Sequence, residues 1–367
     1  MHLQPMEAAR LAVETMMRRY EAPLLPPVGR FHYHQGVFLS GVYQTYLLTG
    51  DERYFRYMRD WVNSVVDENG RILHFDRGQM DDLQPGILLY PLRARTDDPR
   101  YETALRTIGE IFLSYPRNRV GGFWHKSDDR CRDQMWLDGL YMGGPVCAEF
   151  GKTFDRPEYF DLVAEQAILM EKHTRDPKTG LLYHAWDAEK RMPWANPETG
   201  LSPEFWGRSI GWVGVAILDD LDFIPAEHPK AEEMRNIVRR LMKAIAPYQG
   251  ADGRWYQVVD KPDGEGNWPE NSCTCLFVYS IAKGVRQGYI ARDAYKAARR
   301  AYDRVIETLL PAPEGEFSMG NVCVGTCIEE GTYDYYIHRD TVENDLHGMG
   351  AFLLMASEMA KLEEAAN

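Results

Sequence analysis

The stretch from Arg132 to Pro145, RDQMWLDGLYMGGP, places one carboxylate, Asp138, among aromatic and aliphatic residues. Trp136 and Tyr141 flank it, and an ionised carboxylate is costly to transfer from water into such surroundings. Desolvation raises a carboxyl pKa, as a general acid requires. The alternative role is a helix N-cap, because the Gly-Gly-Pro at 143–145 indicates a nearby helix start, whose positive end lowers the pKa. The residues alone leave both roles, and the net pKa shift, open.

A second group of carboxylates lies in MDDLQPG, where Asp81 and Asp82 are adjacent. Paired carboxylates can raise one another's pKa, or one can hold a water molecule while the other supplies a proton. The alternative is that one or both cap a helix that begins near Leu83, and for Asp82 we favour this role.

Aromatic residues recur beside Asp and His in many of the predicted loops. Aromatic faces with carboxylates and few basic residues are typical of sugar-binding sites, although each single Trp is as well explained by packing between helices. Their recurrence favours a sugar site for the group as a whole. The stretches are FHYHQG, MDDLQPG, GGFWHKSDD, WLDGLYMGGP, GLLYHAWD, EFWGRSIGW, NWPENS and TYDYYIHRD.

Composition limits the possible partners. The 367 residues carry a net charge of −13, and no basic run offsets it, which argues against nucleic acid or an anionic membrane surface as a partner. The N-terminus does not read as a signal peptide and no stretch of about 18 apolar residues occurs, so we expect a cytoplasmic protein. The cysteine pairs 273/275 and 323/327 lack the repeated spacing of structural zinc sites. We therefore expect reduced cysteines, no metal and no cofactor.

Hydrophobic periodicity predicts an almost entirely helical chain. Several helices follow a short turn, an acidic residue or Pro, and then an aromatic residue, as in TGDERYFRYM, TDDPRYETAL and FDRPEYFDLV. These starts are irregularly spaced, which favours helical hairpins with variable loops over a solenoid. The predicted helices span 5–20, 35–49, 52–66, 83–95, 98–114, 136–152, 157–172, 205–222, 229–247, 271–288, 291–309 and 345–363.

The predicted helices fall into two kinds that suit two layers. Those that follow the turns, such as YFRYMRDWVNSVV, have strong polar faces and suit an outer layer. Their partners, such as RSIGWVGVAILDDL, are apolar or small on nearly all sides and suit an inner layer. No flexible linker divides the chain, so we favour one domain over residues 1–367, an all-α double-layered barrel, over two helical bundles.

Several stretches together resemble the unsaturated rhamnogalacturonyl hydrolases of glycoside hydrolase family 105, which are related to the unsaturated glucuronyl hydrolases of family 88. The resemblance covers nearly the whole chain and implies an (α/α)6 barrel of six hairpins with an intracellular role in pectin breakdown. The combination of WLDGLYMGGP with FWGRSIGW is specific, whereas any one piece alone is weak. The other pieces are MDDLQPG, GLLYHAWD, SIAKGVRQGY, and GT followed by YDYY and NDLHGMGAFLLMASE.

The resemblance also implies residue roles. Asp138 matches the acid that protonates C4 of a 4,5-unsaturated uronic acid, before water adds at C5 and the neighbouring sugar is released. Asp81 matches the second carboxylate, five residues before the Gly of its motif. Arg208 would offer its donor fork to a carboxylate or to sugar hydroxyls, and Trp206 and Trp212 would offer stacking faces. The implied substrate-binding residues are Tyr33, His125, Trp136, His184, Trp206, Arg208 and Trp212.

The expected partner is therefore an unsaturated uronyl oligosaccharide. An unsaturated glucuronyl hydrolase acting on other unsaturated uronides is the nearest alternative. A sugar epimerase on the same toroid would rely on paired histidines, for which His173, His184 and His338 are available, but it would leave the Asp138 motif unexplained. A non-catalytic sugar-binding protein is the third alternative.

Overall fold

The structure, a computed structural model, describes residues 3–366; residues 1, 2 and 367 of the predicted domain lie outside it. Within that range the chain forms thirteen α-helices and three short strand pairs. The helices are α1 Pro5–Arg19, α2 Tyr33–Thr49, α3 Glu52–Val65, α4 Leu89–Arg95, α5 Pro99–Ser114, α6 Asp138–Thr153, α7 Glu158–Thr174, α8 Gly207–Asp220, α9 Ala231–Ile245, α10 Asn271–Arg286, α11 Tyr295–Thr308, α12 Tyr333–Ile337 and α13 Leu346–Ala366. The strands are β1 Gln134–Trp136, β2 Ala185–Asp187, β3 Leu310–Pro311, β4 Phe317–Ser318, β5 Val322–Cys323 and β6 Thr341–Val342.

Six helices form a closed inner ring. α13 packs against α2 and α10, α10 against α8, and α8 against α6. A 3-10 turn, Gln84–Leu88, leads into α4 and fills the remaining position between α6 and α2. Helices α1, α3, α5, α7, α9 and α11 lie outside this ring, each against an inner neighbour. The predicted all-α (α/α)6 barrel is confirmed.

The sequence of each layer explains its place. In the outer helix α3, the buried residues Tyr54, Met58, Trp61 and Val65 recur every three or four positions, as one face of an amphipathic helix requires. The inner helix α8 is buried along its whole length except at Asp219. Helices that are apolar or small on all sides can be covered on all sides, so they form the inner layer.

Small residues set the distance between two inner helices. A Cβ atom added to Gly211 of α8 would lie 2.7 Å from Cβ of Leu276 in α10, and one added to Gly214 would lie 2.5 Å from Oγ of Ser280. Both distances are shorter than carbon and oxygen atoms tolerate without moving. The glycines therefore permit the close contact between α8 and α10.

Two elements differ from the sequence-based expectation. The predicted helix 83–95 begins as the 3-10 turn Gln84–Leu88 and becomes α-helical only at Leu89, since Pro85 has no amide hydrogen to donate to a helix ladder. The five-residue α12 was not predicted, because so short a helix shows no clear periodicity.

Antiparallel strand pairs join the loops at the N-terminal ends of inner helices. β1 precedes α6 and pairs with β2, which lies before α8; β5 pairs with β6, which precedes α13. These two- and three-residue strands were not predicted. They connect loops that lie far apart in the sequence, and thereby fix the side chains at the ends of the inner helices relative to one another.

No helix among residues 3–366 combines the length and the apolar character that crossing a lipid bilayer requires.

Candidate active site

The predicted site residues meet at the N-terminal ends of the inner helices. Tyr33 and Asp138 are the first residues of α2 and α6, and Arg208 is the second residue of α8. Trp206 directly precedes α8, and Asp81 lies in the 3-10 turn Met80–Asp82 ahead of α4. Because unpaired amides give each helix N-terminus a partial positive charge, this end of the barrel suits an anionic substrate.

Asp138 and His184 form a hydrogen-bonded pair that the β1–β2 register creates. Trp136 lies opposite Ala185 in this register, and the amide of Leu137 donates to the carbonyl of His184 at 3.0 Å. The side chains just beyond the paired strands therefore meet, with Oδ2 of Asp138 at 3.1 Å from Nε2 of His184. The His184 side chain is fully buried, whereas that of Asp138 is 13% exposed. The carboxyl group thus remains accessible from the cleft.

The alternative role of Asp138 as a helix cap is wrong. The residue at the N-cap position of α6 is Leu137, and no side chain accepts a hydrogen bond from the first turn. Asp138 already lies inside the helix, which continues through Pro145 rather than starting near it. Its carboxyl group is thus free to bond His184.

Tyr336 holds the other side of the His184 ring. The Tyr336 hydroxyl lies 2.6 Å from Nδ1 of His184, and both side chains are fully buried. The ring of Trp206 lies 4.7 Å from that of His184 and is stacked with that of Tyr336. Sequence reasoning missed Tyr336, although the YDYY piece that contains it was part of the resemblance. The imidazole is therefore fixed in position, with Nε2 directed at the carboxyl group.

The pKa of Asp138 is lower than that of an ordinary aspartate. Burial alone would raise it, but the hydrogen bond from His184 and the positive charges of His184, His125 and Arg208 together outweigh burial. The apolar sequence around Asp138 indicated only the first of these effects. In the unliganded protein the carboxyl group is accordingly held as the carboxylate.

Asp82 has a structural role. Its side chain is completely buried, with Oδ1 at 2.8 Å from Nδ1 of His32 and at 3.1 Å from the Gln79 amide group. Its Oδ2 accepts from the amide of Asp76 at 3.0 Å. Asp82 therefore fixes the preceding loop, and the prediction that it caps the following helix is wrong.

Asp81 has looser contacts and faces other candidate residues. Its Oδ1 lies 3.5 Å from Nε2 of His125, and its Oδ2 lies 3.9 Å from Nζ of Lys126. Neither distance is that of a normal hydrogen bond. Of the two adjacent carboxylates, Asp81 is thus the one that can accept a hydrogen bond from a ligand or a water molecule. Lys126 was not predicted as a site residue and adds a partly exposed cation here.

His125 and Trp136 form one wall between the two carboxylates. Their rings stack with centroids 4.4 Å apart and an angle of 11°. Burial lowers the pKa of His125, although Asp81 and Asp138 act in the opposite direction, so this imidazole is neutral near pH 7. A neutral, fixed imidazole between two carboxylates can donate or accept one hydrogen bond.

Arg208 uses its donor fork within the protein. Nη1 donates to the carbonyl of Cys323 at 2.6 Å, and Nη2 donates to the carbonyl of Val324 at 2.8 Å. The guanidinium carbon lies 4.6 Å from the centre of the Trp206 ring, and Arg208 is 2% exposed. The predicted direct grip of this fork on a substrate is therefore wrong for this structure, in which Arg208 holds the 323–324 loop and adds positive charge to the site.

The predicted stacking faces of Trp206 and Trp212 are covered. Trp206 is completely buried between Tyr336 and Arg208. Trp212 is 1% exposed and stacks on Tyr141 at 4.5 Å inside the barrel. Stacking of a sugar on either ring is not supported by this arrangement. Trp212 lies more than one helical turn beyond Trp206, so it belongs to the packed interior of α8.

Tyr33 lies beside the charged groups of the site. Its ring packs against His34 with centroids 4.2 Å apart. Burial raises the pKa of its hydroxyl well above the usual value, and the positive charge of Arg208 opposes that rise. The hydroxyl therefore stays protonated and can donate a hydrogen bond.

Comparison with known proteins agrees with this geometry. A structure from C. acetobutylicum ATCC 824, described as a glycoside hydrolase from family 105, superposes with a TM-score of 0.91 at 32% identity, covering 96% of this chain and 99% of that one. Protein Atu3128 of Agrobacterium fabrum is 32% identical over 229 residues, which are 59% of this chain and 97% of that protein. The unsaturated rhamnogalacturonyl hydrolase YesR of Bacillus subtilis is 24% identical over 303 residues, 82% of this chain and 81% of YesR.

The family model described as Glycosyl Hydrolase Family 88 matches residues 8–363. This span includes all six hairpins and every residue of the site at the helix N-termini. The predicted resemblance is confirmed, and the chain belongs to glycosyl hydrolase family 88 as an enzyme of the unsaturated-uronide type that families 88 and 105 share.

Proposed function

We propose that this enzyme releases the 4,5-unsaturated uronic acid from the non-reducing end of rhamnogalacturonan oligosaccharides left by pectin lyases. The observation that carries this proposal is the Asp138 carboxyl group, open to the cleft and held by a fixed His184 at 3.1 Å. The name of the Bacillus subtilis relative supports this substrate class. The unsaturated sugar contains an enol ether, which reacts with an acid at C4.

The first step is protonation of C4 by Asp138. The C4=C5 electron pair takes the proton, and the positive charge that develops at C5 is shared with the ring oxygen. Asp138 has to gain this proton in the complex, because the pKa of its carboxyl group is low in the free protein. A bound uronate adds a negative charge and displaces water, and both changes raise the pKa of a neighbouring carboxyl group. His184, through Nε2, can pass the proton to Asp138.

Water then adds to C5 and gives its proton to Asp81. The resulting hemiketal opens to a ketone at C5, and the hydroxyl left at C1 expels the neighbouring sugar as C1 becomes an aldehyde. One water molecule is consumed overall, and the bond from C1 to the leaving sugar breaks without direct attack on C1. Asp81 suits the role of base because its oxygens have only loose protein contacts.

The direct test uses ultraviolet absorption. The conjugated C4=C5 bond and carboxylate of an unsaturated rhamnogalacturonan disaccharide absorb, and the 5-keto product does not. We expect the absorption band to disappear with multiple turnovers per enzyme molecule. Bound disaccharide with an unchanged band would favour a sugar-binding protein, and an isomerised sugar with the bond intact would favour an epimerase.

The two adjacent aspartates provide an internal comparison. We expect Asp81→Asn to lower kcat by about a hundredfold with little change in Tm, because it removes a base whose oxygens have few protein partners. Asp82→Asn should lower Tm, because a buried carboxylate with three close partners loses its charge and one acceptor. The measurements are steady-state kinetics and thermal unfolding of both variants. A reversed pattern would assign the base to Asp82.

The epimerase alternative lacks its paired histidines. His338 is 71% exposed beside Asp334, whereas His184 is fully buried. His173 stacks on Trp186 with ring centroids 4.0 Å apart. We therefore retain the hydration of an unsaturated uronide as the function that these side chains support best.

A further inference from the structure

A second cluster of ligating side chains lies beside the carboxylates of the site. It consists of His34 in the first turn of α2, Asp345 directly before α13, and His347 in the first turn of α13. One nitrogen of each imidazole and one oxygen of the carboxylate all lie within 4.8 Å of one another. The sequence gave no hint of this cluster, because His34 is more than 300 residues away from the other two.

The contact between Asp345 and His347 has an unusual geometry. Oδ1 of Asp345 lies 2.6 Å from Nδ1 of His347, yet Nδ1 has no partner in the direction in which its hydrogen would point. His347 is completely buried, so this nitrogen cannot be satisfied by bulk water. Two ligands that bind one ion side by side bring their atoms close together without a hydrogen between them.

The opposite nitrogen of His347 has the partner that a metal-binding histidine requires. Nε2 lies 3.0 Å from the carbonyl oxygen of Cys323. Metal-bound imidazoles commonly donate their second N–H to a carbonyl group, which directs the lone pair of the first nitrogen to the ion. Nε2 also lies 3.0 Å from Nη1 of Arg208, so the other tautomer is available when no ion is bound.

His34 contributes a neutral imidazole. Burial, followed by the nearby His347, lowers the pKa of His34 to about 3, and only the neutral form binds a cation. Its Nε2 lies 3.8 Å from Oδ1 of Asp345, and its Nδ1 has no hydrogen-bond partner. Atoms bound to one Zn²⁺ ion lie roughly 3 to 3.5 Å apart, so an inward shift of about 1 Å by this partly exposed side chain completes the set.

We propose that His34, Asp345 and His347 bind one divalent transition-metal ion. Two imidazoles and one carboxylate favour Zn²⁺, Co²⁺ or Ni²⁺ over Mg²⁺ or Ca²⁺, which prefer oxygen ligands. Three protein ligands leave a coordination position for water or for a substrate oxygen. The acid–base steps of the proposed function do not need this ion, so binding and hydration can be tested separately.

The test is a titration of chelator-treated, dialysed enzyme with Co²⁺ in the absence of substrate, followed by visible absorption, and with Zn²⁺ by calorimetry. We expect saturation at one ion per chain. His34→Ala and Asp345→Asn should each weaken binding by at least about tenfold, the lower end of the loss from mutating groups that merely orient ligands. Asn can still accept the hydrogen bond from the His347 amide at the start of α13, so this variant keeps the helix start intact.

The matched control is His338→Ala, which removes an exposed histidine outside the cluster and should leave the affinity unchanged. Circular dichroism checks that each variant is folded. Absence of saturable binding by the parent enzyme, or parental affinity in both His34→Ala and Asp345→Asn, would overturn the proposal and leave an ordinary Asp–His contact. Because no substrate is present, either outcome is independent of the hydration reaction.

Discussion

Asp138→Asn should lower turnover of an unsaturated rhamnogalacturonan disaccharide by at least about a hundredfold and leave Tm nearly unchanged. The amide has the size of the carboxyl group, and its oxygen can still accept from Nε2 of His184 at the observed 3.1 Å. The amide cannot transfer a proton to C4. Activity and stability should therefore separate in this one variant, and steady-state kinetics with thermal unfolding measure both.

Asp133→Asn is the matched control for this change. Asp133 lies five residues earlier, pairs with Arg191 near the surface, and has a φ of +61°, which Asn tolerates well. The same loss of one charge should therefore have little effect on kcat. Near-parental turnover by Asp138→Asn, or equal losses in both variants, would remove Asp138 from the proton transfer.

The architecture was largely predictable from the sequence, because its signals are local. Twelve predicted helices correspond to observed ones, and the polar faces of α3, α9 and α11 correctly placed these helices in the outer layer. Apolar periodicity and turn residues act over a few positions, so they can be read without knowing the partners. The short strands and α12 lie below the length at which such periodicity is visible.

The contacts of the site were less predictable, because they join distant parts of the chain. The motifs placed Asp138 and His184 in one site, but the β1–β2 register is what sets their 3.1 Å contact. Likewise, nothing near Arg208 in sequence indicates that the carbonyl groups of residues 323 and 324 use its donor fork. Sequence motifs identify which residues share a site, whereas the orientation of each side chain depends on partners that the motif does not contain.

The direction of the Asp138 pKa illustrates the same limit. The neighbours in sequence, Trp136 and Tyr141, indicate burial, and burial does raise the pKa. The groups that reverse the shift are His184, His125 and Arg208, two of which come from other loops and one from α8. The net pKa therefore depends on the assembled site, and a substrate that brings its own carboxylate changes it again.

Deuterium should appear at C4 of the released sugar when the reaction runs in heavy water, and a saturated galacturonide of otherwise identical structure should remain intact. Both results follow from delivery of the proton to C4, since the saturated sugar has no electron pair there to accept it. Mass spectrometry and nuclear magnetic resonance of the 4-deoxy-5-keto product measure the label, and chromatography measures cleavage of the saturated substrate.

A conventional glycosidase would give the opposite pair of results. Its two carboxylates act across the anomeric carbon and the glycosidic oxygen, so cleavage does not depend on a bond between C4 and C5. Comparable cleavage of saturated and unsaturated substrates, or product without label at C4, would therefore reject hydration even if Asp138 proved essential. Label at C4 combined with an inert saturated substrate would identify C4 as the site of protonation, and loss of the label in Asp138→Asn would assign that proton to Asp138.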